Sequence, residues 1–175
     1  MDLKKYIRSI PDYPKKGILF RDITTLIKDK DAFKESIDLM SKILAKLNFE
    51  KIAAIESRGF IFSSALCYNL SKPLVLMRKK NKLPAEKYSQ EFELEYGKAT
   101  LEMHKDALKP NEKVIVVDDL IATGGTAKAA AKLIEKSSAI VSGFIFVINL
   151  FDLNGKKSLE DKGYKTFSLI DFPGH

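Results

Sequence analysis

At 175 residues, 45% hydrophobic and 30% charged, the chain has the size and composition of one globular domain able to enclose a sheet, and no apolar run reaches the length that spans a bilayer. Lysine and arginine outnumber aspartate and glutamate by 30 to 23, a formal charge of +7, which admits nucleic acid, a membrane surface or a polyanionic small molecule as partner without choosing among them. A single cysteine, Cys67, excludes a disulfide framework or a cysteine metal cluster within one chain.

The N-terminal stretch MDLKKYIRSI lacks the apolar segment and small-residue cleavage site of a secretory signal, so a cytoplasmic setting is expected. Gly17 to Asp22 (GILFRD) is a short apolar segment of no clear periodicity. From Asp31 to Leu47, apolar residues recur at three- and four-residue spacing through Phe33, Ile37, Met40 and Leu44, which predicts a helix. Lys51 to Ile55 reads as a strand, Gly59 to Leu70 as a buried helix that takes Cys67 as a core thiol, and Leu74 to Met77 as a second strand. The polar stretch from Lys79 to Glu91 carries Pro84 and no periodic apolar pattern, which makes it a candidate mobile flap. The basic cluster at its start, Arg78 to Lys82, is too short and too poor in stacking aromatics for a nucleic-acid site and reads by default as a solvated loop. Phe92 to Tyr96 and Thr100 to Met103 alternate polar and apolar about Gly97-Lys98, the pattern of an antiparallel hairpin outside the parallel core. Val114 to Val117 is a β-branched run without polar alternation, Thr126 to Lys136 a helix, and Val141 to Leu150 a strand broken by Ser142 and Gly143. Strand and helix therefore alternate, which predicts an α/β fold around a largely parallel sheet. No repeat or interdomain linker interrupts the chain, and one domain over 1–175 is expected.

The chemistry concentrates in Val114 to Ala127 (VIVVDDLIATGGTA), where a buried strand ends on two adjacent carboxylates and a small-residue loop leads into a helix. Ligands of open α/β sheets gather at the carboxyl ends of strands, where Asp118 and Asp119 fall. Ala122, Thr123, Gly124, Gly125 and Thr126 let backbone amides and a helix N-terminus converge on an anion. Two acids beside a phosphate repel it unless the same ligand offers hydroxyls or a metal ion to the acids and its phosphate to the amides, and a ribose 5-phosphate meets both demands. A Walker loop needs lysine after its second glycine, where Thr126 stands, and a dinucleotide fingerprint needs its acid downstream, whereas these acids come upstream.

Val114 to Ala127 resembles the phosphoribosyl-pyrophosphate signature of the type I phosphoribosyltransferases. The likeness to the adenine-accepting branch of that family runs almost from end to end: Pro14 to Thr24 (PKKGILFRDIT), Glu56 to Phe62 (ESRGFIF), Lys82-Leu-Pro84, Glu93 to Gly97 (ELEYG), Leu101 to Asp106 (LEMHKD) and Phe151 to Gly155 (FDLNG). Departures stand at Thr25, where the family often has proline, at Asn81, where it has glycine, and at Lys87 to Gln90 in the flap.

The resemblance implies the type I phosphoribosyltransferase fold, with an N-terminal helix and purine hood over residues 1–30 and a flap and hairpin over 79–103. It implies transfer of a 5-phosphoribosyl group from phosphoribosyl pyrophosphate to adenine, giving AMP and pyrophosphate, with Mg2+ held mainly by substrate oxygens and water. Asp118 and Asp119 then engage the ribose hydroxyls and Ala122 to Thr126 the 5-phosphate. Ser57, Arg58, Arg78, Lys79 and Lys82 face the pyrophosphate, with Arg58 directed into the reaction centre. Phe20 stacks on the base, while the main chain of Leu19 and Arg21 meets its polar edge. Glu95 handles charge and proton at the purine, and Tyr96 closes over the site. A homodimer is implied, with no nucleic-acid or membrane partner. Two rivals stay open: a 6-oxopurine phosphoribosyltransferase on the same fold, and a phosphoribosyl-pyrophosphate-sensing regulator that uses its +7 charge on nucleic acid.

Overall fold

The β-branched runs become the inner strands of a seven-stranded sheet in the computed structural model, which describes residues 1–94 and 96–175. Strands β3 (Lys51–Ile55), β4 (Leu74–Lys79), β7 (Lys113–Ile121), β8 (Ile140–Leu150) and β9 (Thr166–Phe172) are parallel, while β5 (Lys87–Glu93) and β6 (Lys98–His104) add antiparallel strands. The order across the sheet is β5-β6-β4-β3-β7-β8-β9. The predicted hairpin is therefore an extension of the parallel sheet, joined to it through Arg78 and Lys79 of β4 opposite Glu102 and Leu101 of β6.

Helices cover both faces, which explains why β7 shows no polar alternation. Ile115 and Val117 pack into one cluster with α1 (Thr24–Ile27), α2 (Lys30–Leu44) and α3 (Arg58–Leu70). Val114 and Val116 point the other way, into a cluster with α4 (Gly125–Lys136). The helix expected over Asp31 to Leu47 starts one residue earlier, because the Asp29 carboxylate caps the amides of Asp31 and Ala32, and it stops at Leu44. Cys67 is half-buried and packs against the first cluster rather than lying wholly inside it, and burial pushes its thiol up to about 11.

Three regions differ from the sequence expectation. The expected N-terminal helix is only a 3-10 turn at Leu3–Tyr6, followed by an antiparallel pair, β1 (Arg8–Pro11) and β2 (Leu19–Asp22). The polar stretch from Lys79 to Glu91 is irregular only between β4 and β5, because Tyr88 and Phe92 of β5 pack on the α4 side and pin its second half as strand. A short helix α5 (Gly155–Glu160) and β9 were not anticipated.

Around β3 the order reverses, with β4 on one side and β7 on the other. That switch point places the carboxyl ends of β3 and β7 side by side and opens a crevice between the connections that follow them.

Candidate active site

A cavity of about 860 Å³ occupies this crevice, a size suited to a small-molecule substrate. The β3–α3 connection contributes Glu56, Ser57 and Arg58, β7 contributes Asp118 and Asp119, and the following loop contributes Ala122, Thr123, Gly124, Gly125 and Thr126. Lys79, Lys80, Lys98 and Thr100 close the side nearest the hairpin, and Phe92 and Leu94 lie above. The Glu56–Ser57 peptide is cis.

The loop geometry follows from its glycines. Gly124 lies at φ +88°, a left-handed conformation that costs glycine nothing, and from it α4 begins at Gly125. A Cβ on Gly125 would stand 3.2 Å from the carbonyl oxygen of Glu93, so the hairpin packs close over the helix start. The first amides of a helix have no carbonyl a turn earlier to accept them, and they carry the positive end of the helix dipole. Beneath the loop, the Gly155 amide donates to the carbonyl of Ala122 at 3.0 Å.

The two acids differ in surroundings. Asp119 is buried and accepts Arg58 Nε at 2.6 Å. Asp118 Oδ1 accepts the Asp119 amide, at 2.8 Å, and lies against Gly59, where a Cβ would come within 3.0 Å of it. Burial, and then the neighbouring charge of Asp119, raise the Asp118 carboxyl well above its ordinary range. Burial works to lower the Arg58 guanidinium, but Asp119, Asp118 and Asp22 together hold it above its usual value.

The expected pyrophosphate cations divide. Ser57, Arg58 and Lys79 line the cavity, joined by Lys80, which the sequence pattern did not single out. Arg78 instead turns to Glu56, at 3.0 Å, and to the carbonyl of Lys82, at 3.4 Å, and neither Arg78 nor Lys82 is among the described cavity-lining residues. Glu56 also accepts the Lys79 amide at 2.8 Å. Burial pushes its carboxyl up, but the donors from Lys79 and Arg78 prevail and leave it below the ordinary range.

The hood residues sit beside the cavity rather than among its described lining. Phe20 meets Tyr13 edge-on, with centroids 5.2 Å apart, and the Arg58 guanidinium stands 5.7 Å from the Phe20 ring, so Arg58 connects hood and acids. Leu19 and Arg21 flank Phe20 on β2. The Arg21 side chain is buried away from the crevice: it donates to Ser9 Oγ at 2.5 Å and to the carbonyl of Pro173 at 2.9 Å, and it stacks 4.4 Å from the Phe172 ring. It fastens the hood to the end of β9. Tyr96 lies at the hairpin tip with Lys15 Nζ 4.1 Å from its ring, so tip and hood already meet. Glu95, the expected proton-handling residue, lies outside the described residues.

Gly155 and Lys80 were legible in principle, the first from Asn154-Gly155 following the β8 run, the second from its place in the basic cluster. Among the described residues, no group of three His, Cys, Asp or Glu side chains forms a metal site, and no helix is long and apolar enough to cross a membrane.

The phosphoribosyl transferase domain family matches residues 23–174. The chain is 63% identical over 175 residues to the adenine phosphoribosyltransferase of Pelagibacter ubique (strain HTCC1062), covering 100% of both. It is similar to the crystal structure of adenine phosphoribosyltransferase from Thermoanaerobacter pseudethanolicus, with a TM-score of 0.93 and 50% identity over 98% of each chain. It also resembles the Saccharomyces cerevisiae enzyme complexed with an imino-altritol bisphosphate and adenine, with a TM-score of 0.89 and 34% identity over 97% of each chain.

Proposed function

The chain belongs to the phosphoribosyltransferase family, and from that premise we propose that it transfers the 5-phosphoribosyl group of phosphoribosyl pyrophosphate to adenine, forming AMP and pyrophosphate in purine salvage. The observation that carries the reading is one cavity holding both a glycine-built amide cradle at the start of α4 and an adjacent pair of carboxylates toward the end of β7, Asp119 buried and Asp118 partly so. A sugar phosphate satisfies both, with its 5-phosphate on the amides of Ala122 to Thr126 and its hydroxyls on Asp118 and Asp119. Ser57, Arg58, Lys79 and Lys80 then surround the pyrophosphate.

As the bond from the anomeric carbon to the pyrophosphate oxygen breaks, its electron pair leaves with pyrophosphate and positive charge develops on the ring beside Asp118 and Asp119. The purine N9 lone pair closes the new bond, and the N9 proton departs. Stabilising the charge at the purine and handling that proton are the role assigned to Glu95, with Tyr96 excluding water at the tip. The donors suit magnesium as part of the substrate complex: Asp118 and Asp119 offer hard oxygens but, as two carboxylates, do not make a protein cage, so these acids would hold the ion together with substrate oxygens and water, and its chemistry there would be to neutralise charge on the leaving group.

Base choice rests on hydrogen-bond polarity. Adenine presents an N6 donor beside an N1 acceptor, and hypoxanthine presents the inverse, so a main-chain carbonyl and amide from Leu19 and Arg21 that match one oppose the other. Two groups left unpaired give discrimination on the order of 10²-fold or more. Measuring kcat/KM for adenine, hypoxanthine and guanine with magnesium and phosphoribosyl pyrophosphate tests this, and comparable values for adenine and either oxopurine would overturn the substrate assignment.

The same family reading carries a cytoplasmic homodimer. Supporting a second copy, Ile61 and Tyr68 on α3 are 40% and 88% exposed, and Leu76 on the same face of the sheet is 41% exposed. Light scattering of the purified chain decides the stoichiometry.

A further inference from the structure

One buried carboxylate takes no part in the proposed chemistry. Glu102 on β6 is 3% exposed and lies opposite Ser89 of β5 on one side and Arg78 of β4 on the other. Both of its oxygens are committed: Oε1 accepts the Asn81 amide at 2.6 Å and Oε2 accepts the Ser89 hydroxyl at 2.5 Å. Burial opposes its charge, yet these two donors, with Lys87 and Lys80 nearby, leave its carboxyl below the ordinary range.

Its partner marks the place where the chain leaves β4. Asn81 sits at φ +64°, in the left-handed region that asparagine tolerates better than most residues. Two residues earlier the Lys79 amide is held by Glu56 at 2.8 Å. Alternate amides of this segment are thus each fastened by a carboxylate, the partly buried Glu56 at the β3 end and the buried Glu102 of β6. Between the two anchors runs the backbone that carries Lys79 and Lys80 into the cavity.

We propose that Glu102 is a positioning residue, which by holding the Asn81 amide aims Lys79 and Lys80 at the pyrophosphate half of the cavity. The proposal rests on the phosphoribosyltransferase reading of that cavity. A long, flexible lysine released from its anchor loses the geometry that makes it useful to a polyanion, while the hood across the crevice is untouched. The effect therefore falls on one substrate.

The test is the steady-state kinetics of Glu102→Ala, Glu102→Asp and Glu102→Gln, with inhibition by inorganic pyrophosphate measured alongside. Glu102→Ala removes the brace, Glu102→Asp keeps the charge but is too short to span both partners, and Glu102→Gln keeps the reach and can accept from Asn81 while turning its amide to the Ser89 oxygen. Alanine and aspartate should raise KM for phosphoribosyl pyrophosphate and weaken pyrophosphate inhibition by about tenfold or more, with KM for adenine unchanged. Glutamine should recover most of that loss. Should the alanine variant fail to fold, the aspartate and glutamine variants still separate reach from charge. Equal rises in both KM values, or a glutamine variant as impaired as aspartate, overturn the positioning role. A wild-type protein that makes no AMP at all refutes the proposed adenine-accepting activity instead, and the two failures are distinct.

Discussion

Gly155 lies 30 positions beyond Gly125 in sequence, in none of the stretches that read as catalytic, yet the structure makes it the floor of the Ala122–Thr126 loop. A Cβ built there stands 2.2 Å from the Ala122 carbonyl oxygen and 2.9 Å from both the Ala122 carbonyl carbon and the Gly124 nitrogen, where ordinary contact begins near 3.4 Å. All three are backbone atoms, so no side chain can swing aside and the loop itself must retreat by about 1 Å. Gly155→Ala therefore loses the 3.0 Å bond from the Gly155 amide to Ala122 and adds overpacking strain, together about 2–4 kcal/mol. In a chain of this length that lowers Tm by about 5–15 °C. An ångström of displacement in the amides proposed to receive the 5-phosphate should also cost on the order of 10²-fold in kcat/KM for phosphoribosyl pyrophosphate, assayed well below the lowered Tm. The control is Gly163→Ala, at φ +88° with no described atom within 4 Å of the new Cβ, which meets conformational strain alone and should lose about 1 kcal/mol with kinetics intact. A Gly155→Ala variant with wild-type Tm and kcat/KM would refute the reasoning.

Asp118→Asn should separate stability from activity. Because burial and Asp119 raise the folded-state value of Asp118 above the unfolded 3.8, ionising it costs stability as pH rises above that value, so the variant should be more stable than wild type at pH 7, by on the order of 1 kcal/mol, with the advantage fading below pH 4 and kcat severely depressed. Melting curves across pH settle the sign, and a less stable variant at pH 7 counts against it. Arg21→Ala should destabilise by about 2–4 kcal/mol through loss of the Ser9, Pro173 and Phe172 contacts, while the ratio of kcat/KM for adenine over hypoxanthine persists because the proposed base contacts are main-chain. Denaturant titration and the two-substrate ratio check both halves. Cys67, with its thiol near 11, should react with a disulfide reagent at pH 8 far more slowly in the native protein than in denaturant, and equal rates would contradict its burial.

How legible each element was depended on whether its physical reason was local. β7 and β3 announced themselves because helices on both faces demand continuous apolar residues, and the Asp118–Thr126 site followed because its acids and its loop are contiguous. β5 was hidden: it is an edge strand of the sheet, and its two apolar residues, Tyr88 and Phe92, pack on the α4 side while lysine, serine, glutamine and glutamate fill the remaining positions. β1 and β2, four residues each, are too short for a period to register, and the hood they form was read from resemblance. Arg78 looked as available to pyrophosphate as Lys79 because both are cations at one strand end. What separates them is Glu56, which parallel pairing of β3 and β4 sets beside Arg78, its own amide donating to Met77. Such facts live in strand register, not in sequence spacing.

The arrangement of the two acids ties the stability prediction to the proposed chemistry. Asp119 is bonded to Arg58, whereas Asp118 lies beside Asp119 and accepts its amide, so two acids face one bonded guanidinium there, an imbalance that burial and the Asp119 charge turn against ionising Asp118. Replacing the side chain with a neutral amide relieves that imbalance permanently. A sugar ring that becomes positive relieves it only for as long as the charge lasts, and a neutral ring in the ground state relieves it less. The repulsion that costs folding stability is thus converted, on the proposed reaction coordinate, into preferential stabilisation of the transition state. Arg58 keeps the balance from tipping further: it hydrogen-bonds Asp119 and acts on Asp118 only through its charge, and it stands between the acids and the Phe20 ring that the base is proposed to stack on. A change that brought a second cation onto Asp118 should therefore make the protein more stable and the enzyme slower at once, the same direction expected for Asp118→Asn and reached by the opposite charge.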